Sequence, residues 1–168
     1  MDLRILSTAT ADATQNYFPN TAGERISTLL DTVWDSAPDA VVIQSTLIPN
    51  KDAQANSNVN SINSQIRTLV SQRQAAGDKI LLVDFNNGWI TTDELCDKTH
   101  PIPEAYEKLA ALWTQQIMLA DSKRWITPPF DTGIPDNATS EGTDCLPSPD
   151  KVPKLFTIPY ALLDCRVR

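Results

Sequence analysis

The chain has 168 residues, 41% of them apolar and 21% charged, a balance that suits a soluble globular protein with one hydrophobic core. Its net charge of −7 and pI near 4.6, with no cluster of Lys and Arg, argue against nucleic acid and anionic membrane surfaces as partners, because both require a basic face. No run of about 18 apolar residues is present to cross a bilayer, and the amino-terminal apolar stretch is too short for a signal peptide.

Residues 2–8 (DLRILST) read as a first strand, with Leu3, Ile5 and Leu6 as its apolar members. From Thr21 the period changes to that of a helix. Ile26, Leu29, Leu30, Val33 and Trp34 share one face, Thr21 and Glu24 have capping-box spacing, and the helix is expected to end near Ser36, before Pro38. Residues 40–48 (AVVIQSTLI) form a continuous apolar run of the kind found in strands buried on both faces. A second helix is predicted over 52–76, with Val59, Ile62, Ile66, Leu69 and Val70 at helical spacing and Gly77 at its left-handed end. KILLVD (79–84) is the next buried strand, and Asn86-Asn87-Gly88 marks a turn that could also serve as a binding loop. A third helix starts near Pro103 and carries Tyr106, Leu109, Ala110, Leu112, Trp113 and Ile117.

Strands alternating with helices predict an α/β fold, a parallel sheet covered on both faces with any site at the carboxyl ends of its strands. Three strands are fewer than the usual four to six or so, so the amino-terminal part of the sheet is expected to be absent. That would leave the strand at 2–8 with an open edge, which favours self-association; the oligomeric state is otherwise open. The composition shifts from Trp125 onward, where seven of the 12 prolines fall (128, 129, 135, 147, 149, 153 and 159). Residues 1–122 therefore read as the domain and 123–168 as a Pro-rich tail or linker. The cysteines Cys96, Cys145 and Cys165 form no CxxC pair. A Cys145–Cys165 disulfide closing the Pro-rich segment is the easiest pairing to imagine, with Cys96 free or paired outside the chain. Together with a glycosylation sequon at Asn137-Ala138-Thr139, this leads to an expected extracellular location.

The chain has one histidine, His100, three residues after Asp97 and directly before Pro101. A general base needs one ring nitrogen free for the substrate and the other held by an acceptor, and a carboxylate three residues earlier in a turn can supply that acceptor. The alternative is a surface histidine at a helix entrance. Cys96 and His100 have a spacing that zinc could use with Cys145 or Cys165, but no close second pair of ligands accompanies them, so neither metal nor other cofactor is expected. Cys96 as a nucleophile is disfavoured by the neighbouring negative charge of Asp97. Trp34 and Trp113 lie on apolar helix faces, which leaves Trp89 and Trp125 as candidates for stacking on a sugar ring.

Asp97-x-x-His100-Pro101, followed by a helix with Tyr106 and Ala110, resembles the carboxyl-terminal catalytic block of the SGNH/GDSL hydrolases, and the similarity extends over about residues 2–120. The resemblance implies a three-layer αβα, flavodoxin-like sheet and a Ser-His-Asp triad in which His100 is the base and Asp97 its orienting acid. It also implies an ester substrate, either a small molecule or a carbohydrate ester. The segment DLRILSTATAD is similar to the family's strand and Gly-Thr-Asn-Asp turn, with Ala9, Thr10, Ala11 and Asp12 at the four turn positions. The family's asparagine donates to the oxyanion; Ala11 cannot, and loss of one such donor lowers turnover about a hundred- to thousandfold. In this alignment Asp12 is structural. The family's Gly-Asp-Ser nucleophile block is not found, and neither Ser7 nor Ser122 is followed by a suitable helix start. Two readings follow, a serine esterase by family and a truncated or degenerate non-catalytic homologue.

Overall fold

The computed structural model describes residues 3–127; Cys145, Cys165, the sequon and the prolines from 128 onward lie outside the described residues. Strands β1 (Leu3–Leu6), β2 (Val41–Ser45) and β3 (Ile80–Val83) form a parallel sheet in the order β1-β2-β3. Ile5 pairs with Ile43 and Ile43 with Leu81, so the carboxyl ends of the strands come together at one edge. Among the described residues the α-helices are α1 (Thr10–Thr14), α2 (Ala22–Ser36), α3 (Ala53–Ala76) and α4 (Pro103–Ser122).

The sheet has a packed layer on each face. Ile26 and Leu30 of α2 and Ile62, Ile66 and Val70 of α3 meet Val42 and Ile80 on one side. Leu109, Leu112, Trp113 and Ile117 of α4 meet Val41, Ile43, Leu81 and Val83 on the other. Every residue of β2 is buried, which is why its sequence shows no apolar–polar alternation. Each such fully buried aliphatic side chain contributes about 1.5–3 kcal/mol relative to exposure. The result is the three-layer αβα arrangement expected from the sequence. β1 occupies one edge, and its Ile5 is 48% exposed.

The helix limits follow local signals with one exception. Asp52 caps α3 by accepting from the main-chain N–H groups of Gln54 and Ala55, and Gly77 ends it at φ 97°. Thr21 does cap α2 by position, yet the expected capping box with Glu24 does not form. The Thr21 hydroxyl instead donates to the Phe18 carbonyl and accepts from Arg25, because a short 3-10 turn (Pro19–Thr21) brings the chain into α2 from the side. A capping box is built at Thr91 and Glu94, around the 3-10 turn Thr92–Glu94.

Asn63 is a fully buried amide on the apolar face of α3, between Ile62 and Ile66. Its Oδ1 accepts from Leu47 N at 2.7 Å and its Nδ2 donates to Leu47 O at 2.9 Å, so it replaces the ladder partner that the chain loses as it leaves β2. Asn63→Ala would leave both main-chain groups of Leu47 buried without partners, and it is expected to cost about 3 kcal/mol of stability. Urea denaturation checks this; a loss under about 0.5 kcal/mol would show that the two bonds have no net value.

Candidate active site

Asp97 and His100 lie in a turn closed by an antiparallel bridge between Leu95 and Pro101. Cys96 N donates to His100 O at 2.8 Å and Ile102 N to Glu94 O at 2.8 Å, tying the two stems together immediately before α4. Pro101 and Pro103 flank that entry, and Pro103 occupies the first turn, where its missing N–H has no intrahelical role. Within the turn, Asp97 Oδ1 accepts from Thr99 N and from His100 N, both at 2.6 Å. Its Oδ2 lies 2.7 Å from His100 Nδ1.

Asp97 therefore has three donors on its two oxygens. The His100 and Thr99 main-chain N–H groups, then the imidazole, hold its carboxyl well below the usual carboxylate range. An ionised carboxylate can only accept, so Nδ1 carries the ring proton and, in the neutral imidazole, Nε2 is the unprotonated nitrogen. That is the tautomer a general base requires.

The imidazole stands at a cleft of about 420 Å³, within the range of small-molecule sites. Its apolar walls come from Leu47 and Ile48 after β2, Phe85 after β3, and Leu109, Ala110 and Trp113 of α4. Phe85 and Trp113 meet edge to face, with ring centroids 5.4 Å apart. Ser7, Thr10, Thr46 and Thr99 also reach the cleft. Thr46 is held from outside the cleft by Asp84, which accepts from the Arg67 guanidinium at 2.8 and 3.0 Å, from Thr46 Oγ1 at 3.0 Å and from Asn86 N at 3.0 Å. Burial pushes the Asp84 carboxyl up, but Arg67, Asn86 and Thr46 together outweigh it and the net shift is downward. Thr46 Oγ1 in turn accepts from Phe85 N at 2.8 Å, which sets the ring at the cleft wall.

The other residues singled out in the sequence are distributed unevenly. Thr10 lines the cleft, whereas Ala11, the next residue, is exposed on α1 and offers only a methyl. Ala9 takes a left-handed conformation at φ 73°, one that glycine adopts without strain and alanine does not. Asp12 is bonded to Arg25 at 2.7 Å and does not line the cleft. Ser7 reaches the cleft wall from the end of β1. Trp89 is 52% exposed on the loop after β3, Trp125 packs against the α4 face of the core, and neither lines the cleft. Cys96 is a free thiol, half-buried in the base of the turn. Among the described residues no three His, Cys, Asp or Glu side chains are grouped as metal ligands, and no helix is long and apolar enough to cross a membrane. Asn50, Asn63, Arg67 and Asp84 are the site-building residues that the sequence reading passed over. An amide on the apolar stripe at 63, and an acid ending a buried strand at 84, were the available signals.

With the cleft and the Asp97–His100 contact described, the sequence likeness has a structural meaning. The GDSL-like lipase/acylhydrolase family model matches residues 2–113, and the chain belongs to this family. Among solved structures, a Clostridium thermocellum family 3 carbohydrate esterase aligns with a TM-score of 0.60 at 20% identity, over 72% of this chain and 58% of that one. A carbohydrate esterase family 3 structure from Talaromyces cellulolyticus aligns with a TM-score of 0.60 at 19% identity, over 72% and 59%. At these identities the likeness is one of fold, the SGNH-type α/β architecture. The chain spans less than two thirds of the length of either structure. No curated protein matches the sequence.

The depressed Asp97 value sets a pH window. The stabilisation that ionised Asp97 gives the turn is fully present above the ordinary carboxylate pKa, and it is lost only as pH falls through the depressed folded value. In a ¹³C carboxyl titration, Asp97 is expected to remain ionised at about pH 4, where free aspartates are already half protonated. A midpoint at or above the ordinary aspartate value would mean that the three hydrogen bonds do not hold in solution.

Proposed function

We propose that His100 and Asp97 are the base and orienting acid of a serine-esterase site acting on carboxylic esters, with a carbohydrate ester as the preferred class. The observation that carries this is the 2.7 Å contact between Asp97 Oδ2 and His100 Nδ1 at the edge of the apolar cleft. In this reaction Nε2 takes the proton of the triad's serine, whose Gly-Asp-Ser block is not found in this sequence, as the serine oxygen attacks the ester carbonyl. The imidazolium that forms is stabilised by Asp97 and returns the proton to the departing alcohol. Water then enters, gives its proton to Nε2, and attacks the acyl-serine; the proton passes back to the serine as the acid is released. The apolar walls suit the acyl group, and the open side of the cleft suits the larger alcohol. The substrate class rests on the carbohydrate esterases that share the fold.

A second reading is favoured by the turn after β1. Ala11 supplies no oxyanion donor, Ala9 holds a conformation suited to glycine, and the sequence contains no Gly-Asp-Ser block. On this reading the chain alone binds esters in the cleft without turning them over, as a degenerate homologue.

Hydrolysis of p-nitrophenyl acetate by the purified chain separates the two. Under the esterase reading, turnover falls at least about a hundredfold in His100→Ala, and a fluorophosphonate probe labels a serine. Absence of labelling, with turnover at the buffer rate in both proteins, sinks that reading and leaves the binding one. Secretion, expected from the cysteines and the sequon, is tested separately by assaying culture medium for the native protein.

A further inference from the structure

The Asp97–His100 pair is held over the cleft from outside its own turn, and we propose that Asn50 is the residue that positions it. This rests on the acid–base reading above. Packing does not fix the pair, since the side chains of His100 and Asp97 are 63% and 51% exposed. Asn50, in contrast, is only 6% exposed, in the loop between β2 and α3.

Both ends of the Asn50 amide are used. Its Oδ1 accepts from Asp52 N at 2.8 Å, which shapes its own loop, and its Nδ2 donates to Thr99 Oγ1 at 3.0 Å. Its main-chain N–H donates to Asn56 Oδ1 at 3.0 Å, which fastens the loop to the first turn of α3. Lys51 reinforces the link, with its N–H on Lys98 O at 2.9 Å and its ammonium on Leu95 O at 2.7 Å. Lys98 reaches back to Asp52 at 3.5 Å. The catalytic turn is thus gripped at Leu95, Lys98 and Thr99 by a loop anchored to α3.

Thr99 is the point at which this grip reaches the chemistry. It lies between His100 and the rest of the turn, and its N–H is one of the two main-chain donors to Asp97 Oδ1. A shift of Thr99 withdraws that donor and turns the carboxylate relative to the imidazole. Asparagine suits position 50 because one side chain must accept and donate at once; alanine does neither, and an ionised aspartate cannot donate.

The chain's single histidine makes the test clean. With the full chain labelled in ¹⁵N-histidine, the ring nitrogens report the tautomer of His100 directly, whether or not the chain turns over any ester. In the unaltered protein the Nδ1–H tautomer should dominate. In Asn50→Ala and Thr99→Val it should lose that dominance, and the His100 main-chain amide should exchange roughly fivefold faster, the value of one ordinary hydrogen bond. Thr99→Ser keeps the hydroxyl and should retain the unaltered values. If Asn50→Ala fails to fold, Thr99→Val carries the test. Unchanged His100 signals in a cooperatively melting Thr99→Val, or equal changes in Thr99→Ser and Thr99→Val, would overturn the proposal. Failure of the esterase reading would show instead as absent turnover with this dependence intact.

Discussion

The site depends on how the two oxygens of the Asp97 carboxylate divide their bonds. Oδ1 takes the main-chain N–H groups of Thr99 and His100 and thereby builds the turn, while Oδ2 faces the imidazole. The first pair of bonds keeps the carboxyl ionised, and an ionised carboxyl compels Nδ1 to be the donor. Local folding and ring tautomer therefore have one cause. A side chain that built the turn without a charge would leave the tautomer unspecified.

The sheet supplies the rest of the geometry. β2 is buried on both faces and leads into a segment whose polar groups must be satisfied without a ladder. Asn63 does this for Leu47, and Thr46 with Asp84 does it for Phe85. These residues make the end of a short three-stranded sheet into a cleft with fixed walls. Buried polar groups that are fully paired in this way favour one arrangement, because an alternative packing would strand them in an apolar setting.

Much of the layered fold was legible in the sequence, because apolar spacing reports burial directly. The stripe from Val59 to Val70 and the runs AVVI and ILLV required covering, and the structure covers them. Gly77 and Pro103 marked a helix end and a helix start for reasons local to the chain. Asp97 and His100 were legible for the same reason, since a carboxylate and a ring three residues apart can meet within one turn. Contacts over long sequence distances were not. Asn50 and Thr99 are 49 positions apart and Arg67 and Asp84 are 17 apart, and nothing in the local pattern of either pair announces the other. The capping box expected at Thr21 does not form where the 3-10 turn Pro19–Thr21 enters α2, and the hydroxyl bonds Phe18 and Arg25 instead.

The hairpin-like closure of residues 95–101 has a mechanical consequence. Asp97 and His100 sit on one short covalent segment, so breathing of the sheet or sliding of α4 carries both as a rigid pair. Such motion would leave the Asp97–His100 hydrogen bond intact and change only the ring's reach across the cleft. Fluctuation in this protein would therefore move the ring relative to the cleft more than it would alter the contact that orients the ring.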